Sequence, residues 1–184
     1  MLIWLKRTIL LMIAIPFFLL LLWYVSSFIF YLNDLKDFAV SGTRIAESIK
    51  HPFYKLVIAG ETKEGIHSYA IRQAYRSLVF DKKRGSMLSW HLNNMLWYQA
   101  SRLHFSESEI FGIWIQCALS ACDQGIREVS YKYFAKDIID LSERELASLV
   151  ALVKSPSIYA PSTVNGAKRT NEILERFKTQ NKLD

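Results

Sequence analysis

Three glutamates, Glu61, Glu107 and Glu109, and three cations, Arg127, Lys132 and Lys136, are residues of this chain whose types can carry chemistry. Two carboxylates facing one cleft, about 5–9.5 Å apart, are the arrangement used on sugars, one as acid or base and the other as nucleophile or water activator. That chemistry requires Glu61 to meet either Glu107 or Glu109 in the fold. Arg127, Lys132 and Lys136 suit a cleft that faces phosphate, although Lys136 serves equally as a structural lysine. No metal site is expected, because His51, His67, His91 and His104 have no metal-ligand spacing with Cys117 and Cys122 or with one another. The cysteines stand five apart. In a continuous helix they point in different directions, so they are expected as two small buried thiols unless the chain turns between them. No cofactor is implied.

These residues need elements to position them, and the first element is apolar. Thr8 to Leu32 contains no charged residue. As a helix rising ~1.5 Å per residue it reaches roughly 37 Å, against a hydrocarbon core of about 30 Å. A tilted transmembrane helix is expected, kinked at Pro16, with Trp4, Trp23, Tyr24 and Tyr31 towards its ends. The run is too long for a cleaved signal peptide. Lys6 and Arg7 precede it, and the mixed charges after it do not compete, so the N-terminus belongs in the cytoplasm and the rest of the chain outside. Of the 23 basic residues, 21 then lie outside against 17 acidic ones, a net +4. That excess suits a lipid bilayer surface or a phosphate-bearing ligand, and is too dispersed for nucleic acid.

The chain accordingly divides into a cytoplasmic tip and anchor (1–33), a juxtamembrane connector (34–52) broken at Ser41-Gly42 and ended by His51-Pro52, and a helical domain (53–184). Within that domain helices are expected over Gly65 to Val79, Leu88 to Leu103 and from Ser106, which with Glu109 makes a capping box. Ser142 and Glu145 make a second box, Leu141 and Leu146 a hydrophobic staple, and Leu146, Leu149, Val150 and Val153 one apolar stripe ending at Lys154. Ala167 to Gln180 is the last helix, with Ile173, Leu174 and Phe177 inward. No run alternates with a period of two, so the fold class is mainly α.

One set of residues occurs in an order that helix physics does not demand. It comprises Gly125-Ile126, Val129-Ser130, Tyr133-Phe134-Ala135-Lys136, the Leu-rich stretch Leu141 to Leu152, Pro156, Tyr159-Ala160-Pro161, Arg169 and Ile173-Leu174. Together these resemble the C-terminal half of the family 51 glycosyltransferases, the peptidoglycan polymerases found alone or as the first domain of bifunctional penicillin-binding proteins. The family pattern there is roughly G-I/V-x-x-A-S-x-x-Y-F-G-K, a helix rich in Ala and Leu, P-x-x-Y-x-P and a later Arg. Val129 replaces its Ala and Ala135 its Gly. Upstream, Gly85-Ser86-Met87-Leu88-Ser89-Trp90-His91-Leu92 resembles G-S-T-I-S/T-Q-Q-L, and Glu109-Ile110 resembles the E-I that opens the second catalytic helix. The likeness covers residues 57 to 178 and is densest after Gly125. It implies a lysozyme-like helical domain outside the bacterial cytoplasmic membrane, in the periplasm or another extracytoplasmic space. Ser86, Ser89 and His91 join Arg127, Lys132 and Lys136 as substrate-contacting positions. Lipid-linked peptidoglycan precursor is the implied ligand, and other cell-envelope synthesis proteins are implied partners.

The resemblance lapses at the carboxylates. The family uses one glutamate as general base on the acceptor sugar hydroxyl and a second at the pyrophosphate leaving-group side. In Glu109-Ile110-Phe111-Gly112-Ile113-Trp114-Ile115-Gln116 the second falls on Gly112, or on Phe111 if the gap is moved, and neither is a carboxylate. Glu61 is the one candidate for the first. The two Gln become Trp90 and His91, and the phosphate-contacting Lys that follows becomes Asn94. A lost general base costs on the order of 10²–10⁴ in rate. Three readings follow: a degenerate member that binds rather than polymerises; an enzyme with Glu61 paired to Glu107 or Glu109; or a small helical membrane adaptor that recruits partners through exposed Trp90, Trp97 and Trp114.

Overall fold

The computed structural model describes residues 2–83, 85–119, 122 and 125–182. Helices account for every regular element among them, and the chain divides after Asp34 into two units. The first holds α1 (Leu2–Trp23), a π-helical turn (Tyr24–Phe28) and a 3-10 turn (Ile29–Tyr31). By length and composition the helical run Lys6–Ser48 is apolar enough to cross a membrane. The second unit begins within α2 (Leu32–Ser48). Ser41-Gly42 does not break this helix as the sequence suggested. Leu35, Ala39 and Gly42 are buried, and Gly42 is tolerated because it lies against the backbone of Gly112.

Then come α3 (Phe53–Gly60) and α4 (Lys63–Tyr75), the latter capped by Thr62, whose hydroxyl accepts from the Gly65 amide at 3.0 Å. A π-helical turn (Arg76–Phe80) and the single turn α5 (Asp81–Lys83) lead to α6 (Met87–His104). Both expected capping boxes form. Ser106 and Glu109 start α7 (Glu107–Cys117), and Ser142 and Glu145 start α9 (Glu143–Lys154). Between them runs α8 (Gly125–Phe134), and α10 (Val164–Gln180) closes the fold with Ile173 and Phe177 inward.

Two helices are buried nearly all round and form the core. Every residue from Ile110 to Ile115 in α7 and from Leu146 to Val153 in α9 is buried, the pattern of a central rather than a surface helix. Helix α7 packs on α4, and α9 lies against α3 and α10. Trp97 and Trp114 are fully enclosed. That removes two of the three tryptophans on which a partner-recruiting surface would depend.

The cysteines also differ from expectation. Helix α7 stops at Cys117, Ala118 is extended and Leu119 has φ 65°. The chain therefore turns between the two sulfurs, and Cys117 and Cys122 form a disulfide rather than two thiols. Both are buried, as expected of either state.

Candidate functional site

The residues on one side of α4 build a groove. Gly65, Ser68, Tyr69, Arg72 and Arg76 recur at steps of three and four, so they share a face of the helix and its π-helical extension. Three contiguous cavities of about 270, 320 and 600 Å³ line up along this face, and Arg72 borders all three. One wall is the α3 to α4 turn at Glu61 together with Val153 and Lys154 at the end of α9. The opposite wall is α6, with Trp90, His91, Asn94 and Met95.

Glu61 is the first residue past α3, in extended conformation, with its amide donating to the Val57 carbonyl at 2.8 Å. It is held from far along the chain. Arg169 Nη2 donates to the Gly60 carbonyl at 2.7 Å, and its Nη1 donates to Glu172 at 3.2 Å. The guanidinium thus satisfies a carbonyl at the negative end of α3. Gly60 sits against Val150 of α9 and Ile173 of α10, where a Cβ would crowd Val150 at 2.6 Å. Arg169, the family's late arginine, is therefore a positioning residue for the Gly60-Glu61 turn. The Glu61 carboxylate is paired with Lys154 Nζ at 3.5 Å.

The groove is cationic where it is not already neutralised. Its carboxylates, Glu61 and Asp81, are paired with Lys154 and with Arg76 (3.4 Å). Arg72 stacks over the Tyr69 ring at 5.5 Å, and no carboxylate engages it among the described residues. Asn94 donates its amide to the Trp90 carbonyl at 2.9 Å, while its buried Oδ1 has no partner among the described residues. An anionic ligand in the groove would meet the guanidinium of Arg72. Arg72 and Lys154 are groove-lining residues that sequence reasoning did not single out as site candidates; the helical register of Arg72 with Gly65 and Ser68 was the available signal.

The other expected carboxylates go elsewhere. Glu107 lines a different cavity, where Lys63 Nζ donates to it at 2.8 Å and Tyr54 at 3.4 Å. The Lys63 hydrogen bond, reinforced by its charge, holds the Glu107 carboxyl below its ordinary pKa. Glu109 accepts from the Ser106 amide and hydroxyl, both at 2.8 Å, and these bonds lower its pKa too. Both are committed anions, unsuited to donating a proton and weakened as bases. In that second cavity His67 Nε2 lies 2.7 Å from the Ser101 hydroxyl, which itself donates to the Tyr98 carbonyl at 2.8 Å. The ring nitrogen is thus the donor, and burial, then Arg102, keep the imidazole below its ordinary pKa.

Neither position expected for the second family glutamate opens on the groove. Phe111 belongs to an aromatic cluster with Phe53, Tyr54 and Trp114, its ring 4.8 Å from that of Tyr54. Gly112 lies against α2, where a Cβ would overlap the Ala39 carbonyl and come within 2.6 Å of Thr43 Oγ1.

Of the expected substrate-contacting residues, His91 lines the groove. Ser86 caps α6 by accepting from the Ser89 amide at 3.2 Å, and the Ser89 hydroxyl accepts from Asn93 at 3.2 Å. The three cations of the α8 region stand apart from it. Arg127 donates to Asp137 at 3.0 Å, Lys132 lies 5.7 Å from the centre of the Tyr133 ring, and Lys136 donates to Glu145 at 2.7 Å. Buried Ser130 donates to the Lys136 carbonyl at 2.8 Å. The most family-like stretch therefore ties the end of α8 to the start of α9.

A helical domain with a cationic groove between α4, α6 and the end of α9 defines a glycan-assembly class of scaffold only in company with its sequence pattern. The transglycosylase family model matches residues 35–178. The chain belongs to the transglycosylase family and is a peptidoglycan glycosyltransferase-like protein. The match extends the resemblance upstream to take in α2 from Leu35. No curated protein and no solved structure matches the chain.

Proposed function

We propose that this protein is a single-pass, membrane-anchored binding module of the cell envelope that holds lipid-linked peptidoglycan precursor in the Arg72 groove and does not polymerise it. One observation carries this reading: both carboxylates of the groove are ion-paired, whereas no carboxylate engages its central guanidinium among the described residues. Polymerisation needs a free base beside the acceptor hydroxyl; retention of a pyrophosphate-linked sugar needs cations and open hydrogen-bonding groups. Arg72 is such a group, and His91 and Asn94 line the groove beside it. Lys6 and Arg7 before the apolar helix support a cytoplasmic N-terminus, with the domain on the outer face of the cytoplasmic membrane, where such precursors are displayed. Other envelope-synthesis proteins are the expected partners of a precursor-holding domain.

The test is binding of lipid-linked disaccharide precursor to the full-length protein in detergent, with a polymerisation assay on the same sample. Wild type is expected to bind and to form no glycan chains. Arg72→Ala should weaken binding about tenfold or more, the scale of one charge-assisted contact worth 1.5–3 kcal/mol. Processive glycan synthesis abolished by Glu61→Gln would refute the proposal.

A further inference from the structure

We infer that the cavity bordered by His67 and Arg102 is a second binding site, separate from the groove, which takes an apolar α-amino acid in its zwitterionic form. At about 100° per residue, Lys63 and His67 lie roughly half a turn from Gly65, so this cavity faces the side of α4 turned away from the groove. The end of α6 and the start of α7 complete its wall. Tyr98 borders both spaces, and the rest of the lining belongs to this one alone. Its volume of about 290 Å³ is at the lower end of the ~300–1,000 Å³ usual for small-molecule sites, which fits a ligand of one residue's size. Ile66, Phe105 and Ile110, all buried, give it an apolar floor.

Charge selects the occupant. Of the charged residues that line the cavity, Lys63 and Glu107 neutralise each other at 2.8 Å. Arg102 and Glu64 make no ion pair among the described residues. The Arg102 guanidinium lies over the Tyr98 ring, 6.0 Å from its centre, which leaves its N–H edge for a carboxylate. His67 spends its Nε2 proton on Ser101, so Nδ1 is the acceptor side of the ring. Glu64 stands three residues before it on α4, and the two together suit an ammonium group. The cavity thus offers a cation for the carboxylate, an anion and an acceptor for the ammonium, and a floor for an aliphatic side chain. A dianion such as phosphate would meet Glu64 and Glu107, and an uncharged ligand would desolvate Arg102 and Glu64 without pairing either.

The experiment is calorimetric titration of the full-length protein in detergent with L-leucine and D-leucine separately, then with N-acetylleucine, which lacks the ammonium, and leucinamide, which lacks the carboxylate. One enantiomer of leucine is expected to bind at one site per chain, and both analogues of that enantiomer to bind about tenfold more weakly or worse, the scale of one lost charge-assisted contact. Arg102 and Glu64 are exposed, so Arg102→Gln and Glu64→Gln should fold as wild type does. Each should weaken leucine binding by a similar factor. A merely structural role for Arg102 would leave the preference for leucine over leucinamide intact; the proposal expects Arg102→Gln to abolish it, and Glu64→Gln to abolish the preference over N-acetylleucine. Binding of neither enantiomer overturns the site. N-acetylleucine binding as tightly as leucine overturns the zwitterionic ligand, and with it the proposal.

Discussion

Gly112 stands where the resemblance places a catalytic carboxylate, and the space around it decides what substitution there can achieve. Its neighbours are the Ala39 carbonyl and Thr43, both on α2. Gly112→Glu is therefore expected to cost at least the 1–3 kcal/mol typical of overpacking, read as a lowered unfolding temperature, and to produce no glycan synthesis. A stable, active variant would contradict the packing described. Ala135 presents the opposite case. It has φ 54°, the left-handed region, at the end of α8 where the family pattern has Gly. Ala135→Gly is expected to stabilise the protein by about 1 kcal/mol, measured by denaturant or thermal unfolding, because it removes the Cβ clash of that conformation. The Ala-for-Gly replacement was readable in the sequence. That this position is left-handed was implied only by the pattern it departs from.

Elements are joined here by charged caps, and the α8 to α9 junction shows how. Glu145 closes the capping box of α9 while accepting from Lys136, and the Lys136 hydrogen bond, followed by the Ser142 amide, lowers its pKa from 4.5 to about 2. A carboxylate depressed by folding contributes its full stabilisation above its unfolded pKa and loses it as pH falls through the folded one. The contribution is thus complete above pH 4.5 and disappears towards pH 2. Glu145→Gln should lower stability at neutral pH and flatten the loss on acidification across that window, as followed by unfolding at successive pH values. An unchanged acid profile would mean that this junction is not a pH-dependent tie. The capping boxes themselves were legible because a box spans only three residues. The Lys136 link was not, since nothing local says which carboxylate an exposed lysine will reach.

The whole molecule ties its groove wall together by joining a local closure to a contact distant in sequence. The Cys117 to Cys122 disulfide ends α7, Gln116 donates to the Cys122 carbonyl at 2.6 Å, and the Leu119 amide donates to the Tyr69 hydroxyl at 3.3 Å. Leu119 and Tyr69 both line the groove beside Arg72. Replacing both cysteines by serine is expected to cost about 2 kcal/mol, the loop-closure value for so short a ring. It should also weaken precursor binding, because the groove wall at Leu119 loses its anchor. Equal affinity with and without the disulfide would show that the wall does not depend on it.

What the sequence determined by itself is local: the apolar run, the helix starts at Ser106 and Ser142, the stripe of α9, and the identity of the family through its last third. Each rests on contacts a few residues apart, where spacing and side-chain type suffice. Tertiary structure decided the rest. Gly42 meets Gly112, Arg169 reaches Gly60 across 109 residues, and Lys154 closes on Glu61. These pairings depend on how closely whole helices approach, a quantity set by packing and not by any local pattern. They also decide that, among the described residues, both groove carboxylates are ion-paired and Arg72 is engaged by no carboxylate.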